Sequence, residues 1–128
     1  MRFYSLLIFC FLLFNCDPGA TTKIEIVNNS SYDLKIKFIG NSEKRYWKLD
    51  DIEIERNKAI TLKEAEIGPP APDPNNRIEK ILFINLYDLS IIKEITIKNL
   101  FVEINRKKIR WHEIAIFLLE ITDELLLE

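Results

Sequence analysis

Glycine, histidine, cysteine and methionine are all scarce in this chain: its 128 residues include three Gly, one His, two Cys and one Met. So few glycines cannot furnish a glycine-rich phosphate loop, whose backbone must approach the ligand closely at several positions. The lone histidine, His112, cannot by itself make a metal site, which needs several converging ligands. Neither charge sign dominates, because 18 Lys and Arg face 20 Asp and Glu for a net charge of −2. The basic footprint on which nucleic-acid affinity depends is therefore missing. The longest apolar stretch also falls short of the roughly 20 residues that a membrane-crossing helix needs.

What is abundant is isoleucine, with 21 residues against five alanines, in a sequence that is 48% hydrophobic and 30% charged. β-Branched side chains lose rotamer freedom in a helix and fit a pleated surface, so the composition predicts an all-β domain with enough apolar material for one core. The length admits a single domain.

The first residues have a different character. Arg2 precedes an apolar run from Phe3 to Phe14, broken only by Ser5 and Cys10, and Asn15-Cys16 follows. About a dozen apolar residues behind a positive charge form the hydrophobic region of an export signal. The segment Leu12-Leu13-Phe14-Asn15-Cys16, with a leucine three residues before the cysteine, resembles a lipobox. Phe14 and Asn15 stand where the strict pattern has small residues, so it is similar to the relaxed lipobox of spirochaete lipoproteins. That resemblance implies a signal peptide over 1–15, cleavage before Cys16, and acylation of Cys16 by a diacylglycerol and an amide-linked chain, which together hold a protein at a membrane where a single chain does not. It also implies a cell-envelope location. An ordinary secretory cut near Ala20 and an uncleaved anchor are the other readings. In the lipoprotein reading Cys10 is discarded and Cys16 is blocked, so no thiol is left for a disulfide or a nucleophile. Loss of Arg2 leaves 17 basic against 20 acidic side chains, a net charge of −3, which favours solubility over adhesion to anionic lipid.

Residues 16–22, containing the polar run DPGATT, are expected as a tether, and 23–128 as a two-sheet antiparallel β-sandwich of the immunoglobulin-like kind. Lys23 to Val27 and Tyr32 to Ile39 alternate apolar and polar residues around Asn28-Asn29-Ser30-Ser31, which predicts a hairpin. Arg45 to Lys48, Asp51 to Glu55 and Ala59 to Leu62 are further strand candidates, the last continuing toward Ile67. Four prolines in Gly68 to Asn76 remove backbone donors and predict an exposed, stiff loop. Ile78 to Asn85 and Ile91 to Ile97 are apolar on both faces, as interior strands are. Leu100 to Ile104 and Lys108 to Trp111 pair around Asn105-Arg106. Glu113 to Ile121 fits a buried strand or a helix, the strand matching more of the pattern, with a short helical turn capped by Thr122 or Asp123. The pattern I-x-I-x-N-N-S-S-Y-D-L-x-I from Ile24 to Ile36, with the Pro-Asn loop and Ile-rich strand from Pro69 to Ile84, is similar to small spirochaete lipoproteins. It implies location and fold and brings no activity.

Chemistry-bearing clusters are thin. His112 beside Glu113 lacks further ligands, and neighbouring strand residues point to opposite faces. Asp50, Asp51, Glu53 and Glu55 alternate with Ile52 and Ile54 as the solvated face of a strand would, without the bend glycine of a calcium loop. Glu64 and Glu66 share a face, but the nearby sequence supplies no aromatic cleft for a glycosidase pair. Ser30 and Ser31 have no basic neighbour. Neither an enzyme nor a metal or cofactor site is expected. The expectation is a lipid-anchored binding or structural module whose partners are the membrane and an envelope or host protein. Tyr46, Trp47, Pro69, Pro70, Pro72 and Pro74 are its candidate binding surface. The alternative is a secreted or periplasmic inhibitor or enzyme that meets its target through loop 68–76.

Overall fold

The computed structural model describes residues 19–40, 47 and 49–127. They form an all-β sandwich with a short C-terminal helix, as the isoleucine content predicts. One sheet has the order β4 (Ala59–Ile67), β1 (Gly19–Asn29), β8 (His112–Thr122), β7 (Val102–Ile109), and the other β3 (Ile52–Ile54), β2 (Leu34–Ile39), β5 (Lys80–Asn85), β6 (Ile91–Thr96). Helix α1 (Asp123–Leu127) closes the chain, and the Thr122 hydroxyl accepts from the Leu125 amide as the expected cap.

Alternation builds the core. Ile24 and Ile26 of β1, Leu34 and Ile36 of β2, Ile81 and Phe83 of β5 and Leu119 and Ile121 of β8 are all fully enclosed between the sheets. Each contributes roughly 2 kcal/mol of apolar burial.

Several expectations are corrected. Half of the expected tether is strand: Gly19 to Thr22 pairs with both β4 and β8, and Ala20 and Thr22 are buried. Backbone pairing on two sides outweighs the lack of large side chains. The segments before and after Asn28 are strands but not a hairpin, since β1 and β2 lie in different sheets. Buried Asn28 turns the chain across the sandwich. Its Nδ2 donates to the Tyr32 and Ile54 carbonyls at 2.8 and 3.1 Å, and its Oδ1 accepts from the Ser30 amide and hydroxyl at 3.1 and 2.6 Å. Nor is the pairing wholly antiparallel, because β1 and β8 run parallel, with Gly19 opposite His112 and Asn29 opposite Thr122. These strands lie far apart in sequence, so no tight turn sets their relative direction.

β6 is an edge strand with Ile91 exposed, rather than an interior one, because its apolar residues outnumber the positions that the facing sheet covers. The two short strands expected around Asn105-Arg106 are one strand, β7, whose register shifts between Glu103 and Asn105. Ile104 is the extra residue of a bulge there, and Asn105 and Arg106, which read as a turn, pair regularly with Ile116 and Ala115. Every residue of β7 is exposed. The bulge together with Lys107 and Lys108 protects this edge from pairing with other strands.

The proline segment is only partly exposed. Pro69 and Pro70 face solvent, whereas Ala71, Pro72 and Pro74 are buried. The Thr22 hydroxyl donates to the Pro72 carbonyl at 2.7 Å, and the Asn75 side chain bonds both the amide and the carbonyl of Phe101 at 2.9 Å. Proline removes donors but leaves carbonyls and apolar rings, and both are used to close this end of the core.

Candidate functional site

Strand directions give the sandwich two ends. The start of β1, the end of β4 and the β7–β8 turn meet at one, here called the base. The links 30–33, 55–58 and 86–90 and helix α1 meet at the other, the tip.

At the base, one row crosses all four strands of the first sheet on its outer face: Ile67, Gly19, His112 and Ile109 are successive partners. Ile67 is 99% exposed, and Trp111 in the two-residue turn that follows Ile109 is 62% exposed. The Gly19 amide donates to the Trp111 carbonyl at 3.3 Å. The imidazole of His112 lies over Gly19, its Nε2 hydrogen-bonded to the Thr21 hydroxyl at 2.8 Å. This makes His112 a structural residue, with Glu113 on the opposite face as the strand period requires. Lys107 and Arg110 stand around this corner, exposed, and neither has an ion pair among the described residues, whereas Lys108 lies opposite Glu113 on the other face and its charge helps to lower that carboxyl.

Inside the base, the Arg106 guanidinium bonds Glu113 and Glu103 and reaches the Ala71 carbonyl at 3.2 Å, while the Ala71 amide donates to Glu113 at 3.1 Å. The Arg106 hydrogen bond, helped by the Ala71 amide, holds the Glu113 carboxyl below its ordinary range. Trp47 is buried, with Nε1 donating to Glu66 at 3.2 Å, and Arg77 bonds the other oxygen of Glu66 at 3.2 Å. Trp47 is thus a core residue of the base and leaves the exposed binding surface. Tyr46 and Cys16 lie outside the described residues. Of the four prolines, Pro69 and Pro70 alone are presented to solvent.

The carboxylate clusters do not assemble into a site. Glu64 lines a cleft of about 170 Å³ with Leu49, Asp50, Ile52, Leu62 and Lys63. That is smaller than the several hundred Å³ usual for a small-molecule site. Burial, reinforced by the charge of Glu66, pushes the Glu64 carboxyl above its ordinary value. Asp51 pairs with Lys35 at 3.8 Å, and Glu53 is exposed on β3. No group of three or more His, Cys, Asp or Glu placed to hold a metal ion occurs among the described residues.

The tip is tied together by short polar side chains. Asp33 accepts from the Arg56 amide at 2.9 Å, and Asp123 accepts from the Ser31 amide and hydroxyl. These hydrogen bonds hold both carboxyls below their ordinary values. Tyr87, 95% exposed, and Leu89, at φ +61°, project from the β5–β6 turn at this end. The candidate surface expected from the sequence includes none of Ile67, Tyr87, Ile109, Trp111, Lys107 and Arg110. The signal for Lys107, Ile109, Arg110 and Trp111 was the run R-K-K-I-R-W from Arg106 to Trp111, conspicuous in a chain of net negative charge. No protein-family model matches the chain, and no curated protein or solved structure matches it.

Proposed function

We propose that the protein is a lipid-anchored module of the cell envelope, with acylated Cys16 as its first mature residue, acting as a non-catalytic binding or structural element. The observation that carries this reading is the hydrogen bond from the Gly19 amide to the Trp111 carbonyl, which opens the first sheet three positions after Cys16. Cleavage before Cys16 spares every described strand. A secretory cut near Ala20 would instead remove Gly19 from between β4 and β8.

Acyl chains on Cys16 place the base toward the membrane and the tip away from it. Tyr87 and Leu89 then form the surface that an envelope or host partner reaches, since an exposed aromatic on a turn offers apolar area at little entropic cost. The inhibitor alternative is weaker, because Pro72 and Pro74 are structural parts of the base.

Mass spectrometry of the mature amino terminus from native envelopes tests the reading. An acylated Cys16 is expected, together with detergent-phase partitioning that Cys16→Ala abolishes. A different first residue, or a free thiol at Cys16, overturns it.

A further inference from the structure

We infer that the β7–β8 corner of the base is a membrane-contact surface that seats the domain on anionic lipid headgroups, with Trp111, Ile109 and Ile67 entering the interface and Lys107 and Arg110 meeting lipid charge. The inference rests on acylation at Cys16 and goes beyond it, because an anchor brings the base near the membrane without fixing which of its faces meets lipid.

Three observations on the molecule converge. The first is distance. Three Cα–Cα steps separate Cys16 from Gly19, so covalent geometry keeps the base within about 11 Å of the acylated residue. That is close to the Debye length of about 8 Å at physiological ionic strength, within which the surface potential of anionic lipid is felt. The second is composition. The row that contains Gly19 ends in exposed Ile67 on one side and exposed Ile109 on the other, with Trp111 beside it. Lys107, on the same face of β7 as Ile109, and Arg110 in the turn flank this apolar group. Apolar and aromatic side chains flanked by cations are the chemistry of the headgroup boundary, where indole sits with its ring in the acyl border and its N–H in the wet layer.

The third observation is conformational. The turn between β7 and β8 holds Arg110 at φ +56°, a region that glycine or asparagine occupies at lower cost. A long cation is kept there between Ile109 and Trp111. The contact is weak for a free domain, whose net charge of −3 after leader removal opposes adhesion. Tethering makes it intramolecular, and a weak contact at high effective concentration suffices to fix orientation.

The test uses the acylated full-length protein reconstituted in vesicles of phosphatidylcholine and phosphatidylglycerol in equal parts, with bromine atoms on the acyl chains near the glycerol backbone. Flotation with the vesicles is scored first, so failure of the anchor is seen separately from failure of the contact. Tryptophan emission is then expected to fall about twofold relative to non-brominated vesicles, because Trp111 reaches the interface while Trp47 is enclosed in the protein. Trp111→Phe should abolish the quenching. Lys107→Gln combined with Arg110→Gln should reduce it and remove its dependence on salt and on phosphatidylglycerol content. Flotation without quenching of Trp111 overturns the contact and leaves the anchor standing. Quenching that is indifferent to both the charge substitutions and phosphatidylglycerol overturns the anionic-lipid assignment. Absence of flotation overturns the contact together with the anchor.

Discussion

The imidazole of His112 occupies the space in which a side chain at Gly19 would begin: a Cβ there would lie 2.7 Å from Nδ1 and 3.0 Å from Cε1. Glycine at position 19 is thus required by the ring that covers it, and the ring is fixed in turn by Thr21 two residues further along the same face. The pair joins β1 and β8 at the base of the sandwich.

Gly19→Ala is expected to destabilise the domain by about 1–2 kcal/mol, because the ring must move and its bond to Thr21 is lost. His112→Ala made in the same chain should recover part of that loss. A double-mutant cycle by urea unfolding should give a coupling of at least about 0.5 kcal/mol; strict additivity would show that the ring is not the obstacle.

Asn28→Ala should cost about 1–3 kcal/mol, since it removes the side-chain donor to the buried Ile54 carbonyl and leaves the Ser30 O–H donor and the Tyr32 carbonyl with only their bond to each other at 3.3 Å. Asn28→Asp should be at least as harmful, because a carboxylate oxygen would then face two carbonyls. Equilibrium denaturation of the two variants checks this, and an Asp variant as stable as wild type would contradict the hydrogen-bond assignment.

Asn75→Ala should release the buried half of the proline segment from Phe101 and cost about 1–2 kcal/mol. Amide hydrogen exchange is the sharper measurement. Protection should fall at Phe101 and in the 71–78 segment, while the amides of β2 and β5 stay protected.

Stability should fall on acidification. Asp33, Asp123 and Glu113 have folded values below the ordinary 3.8 for Asp and 4.5 for Glu. Their contribution is therefore complete above those ordinary values and is lost as pH drops through the lower folded ones. The unfolding midpoint should decline from about pH 5 toward about pH 3, and Asp123→Asn should flatten part of that slope. Glu64 has the opposite sign. Its raised value favours the fold below 4.5 and is a liability once pH rises through the folded value, so Glu64→Gln should raise the midpoint at neutral pH and leave it unchanged in acid.

Arg110→Gly should stabilise the domain by about 1 kcal/mol, because the left-handed backbone at that turn costs an L-residue roughly this much. A thermal melt checks it, and an unchanged or lower midpoint would show that Arg110 makes compensating contacts in the fold.

The sequence by itself determined the all-β class, most strand positions and their inward faces, because a period of two with β-branched residues leaves a strand few alternatives. Ile24 and Ile26, Leu34 and Ile36, and the strand choice for Glu113 to Ile121 were readable in this way. The thr-capped final turn was readable too, from Thr122 and the acidic residues behind it. Tertiary structure alone decided which strands became neighbours. Asn28 reads as a loop former until its amide is seen spanning to Ile54, and Asn105-Arg106 reads as a turn until β8 is seen to pair with it beyond a bulge at Ile104. The burial of Trp47, Pro72 and Pro74 and the gathering of Ile67, Ile109 and Trp111 beside Gly19 were likewise settled only in three dimensions. The reason is range: alternation is a property of adjacent residues, whereas sheet order depends on contacts between segments far apart in the chain, whose competing pairings have similar local energies.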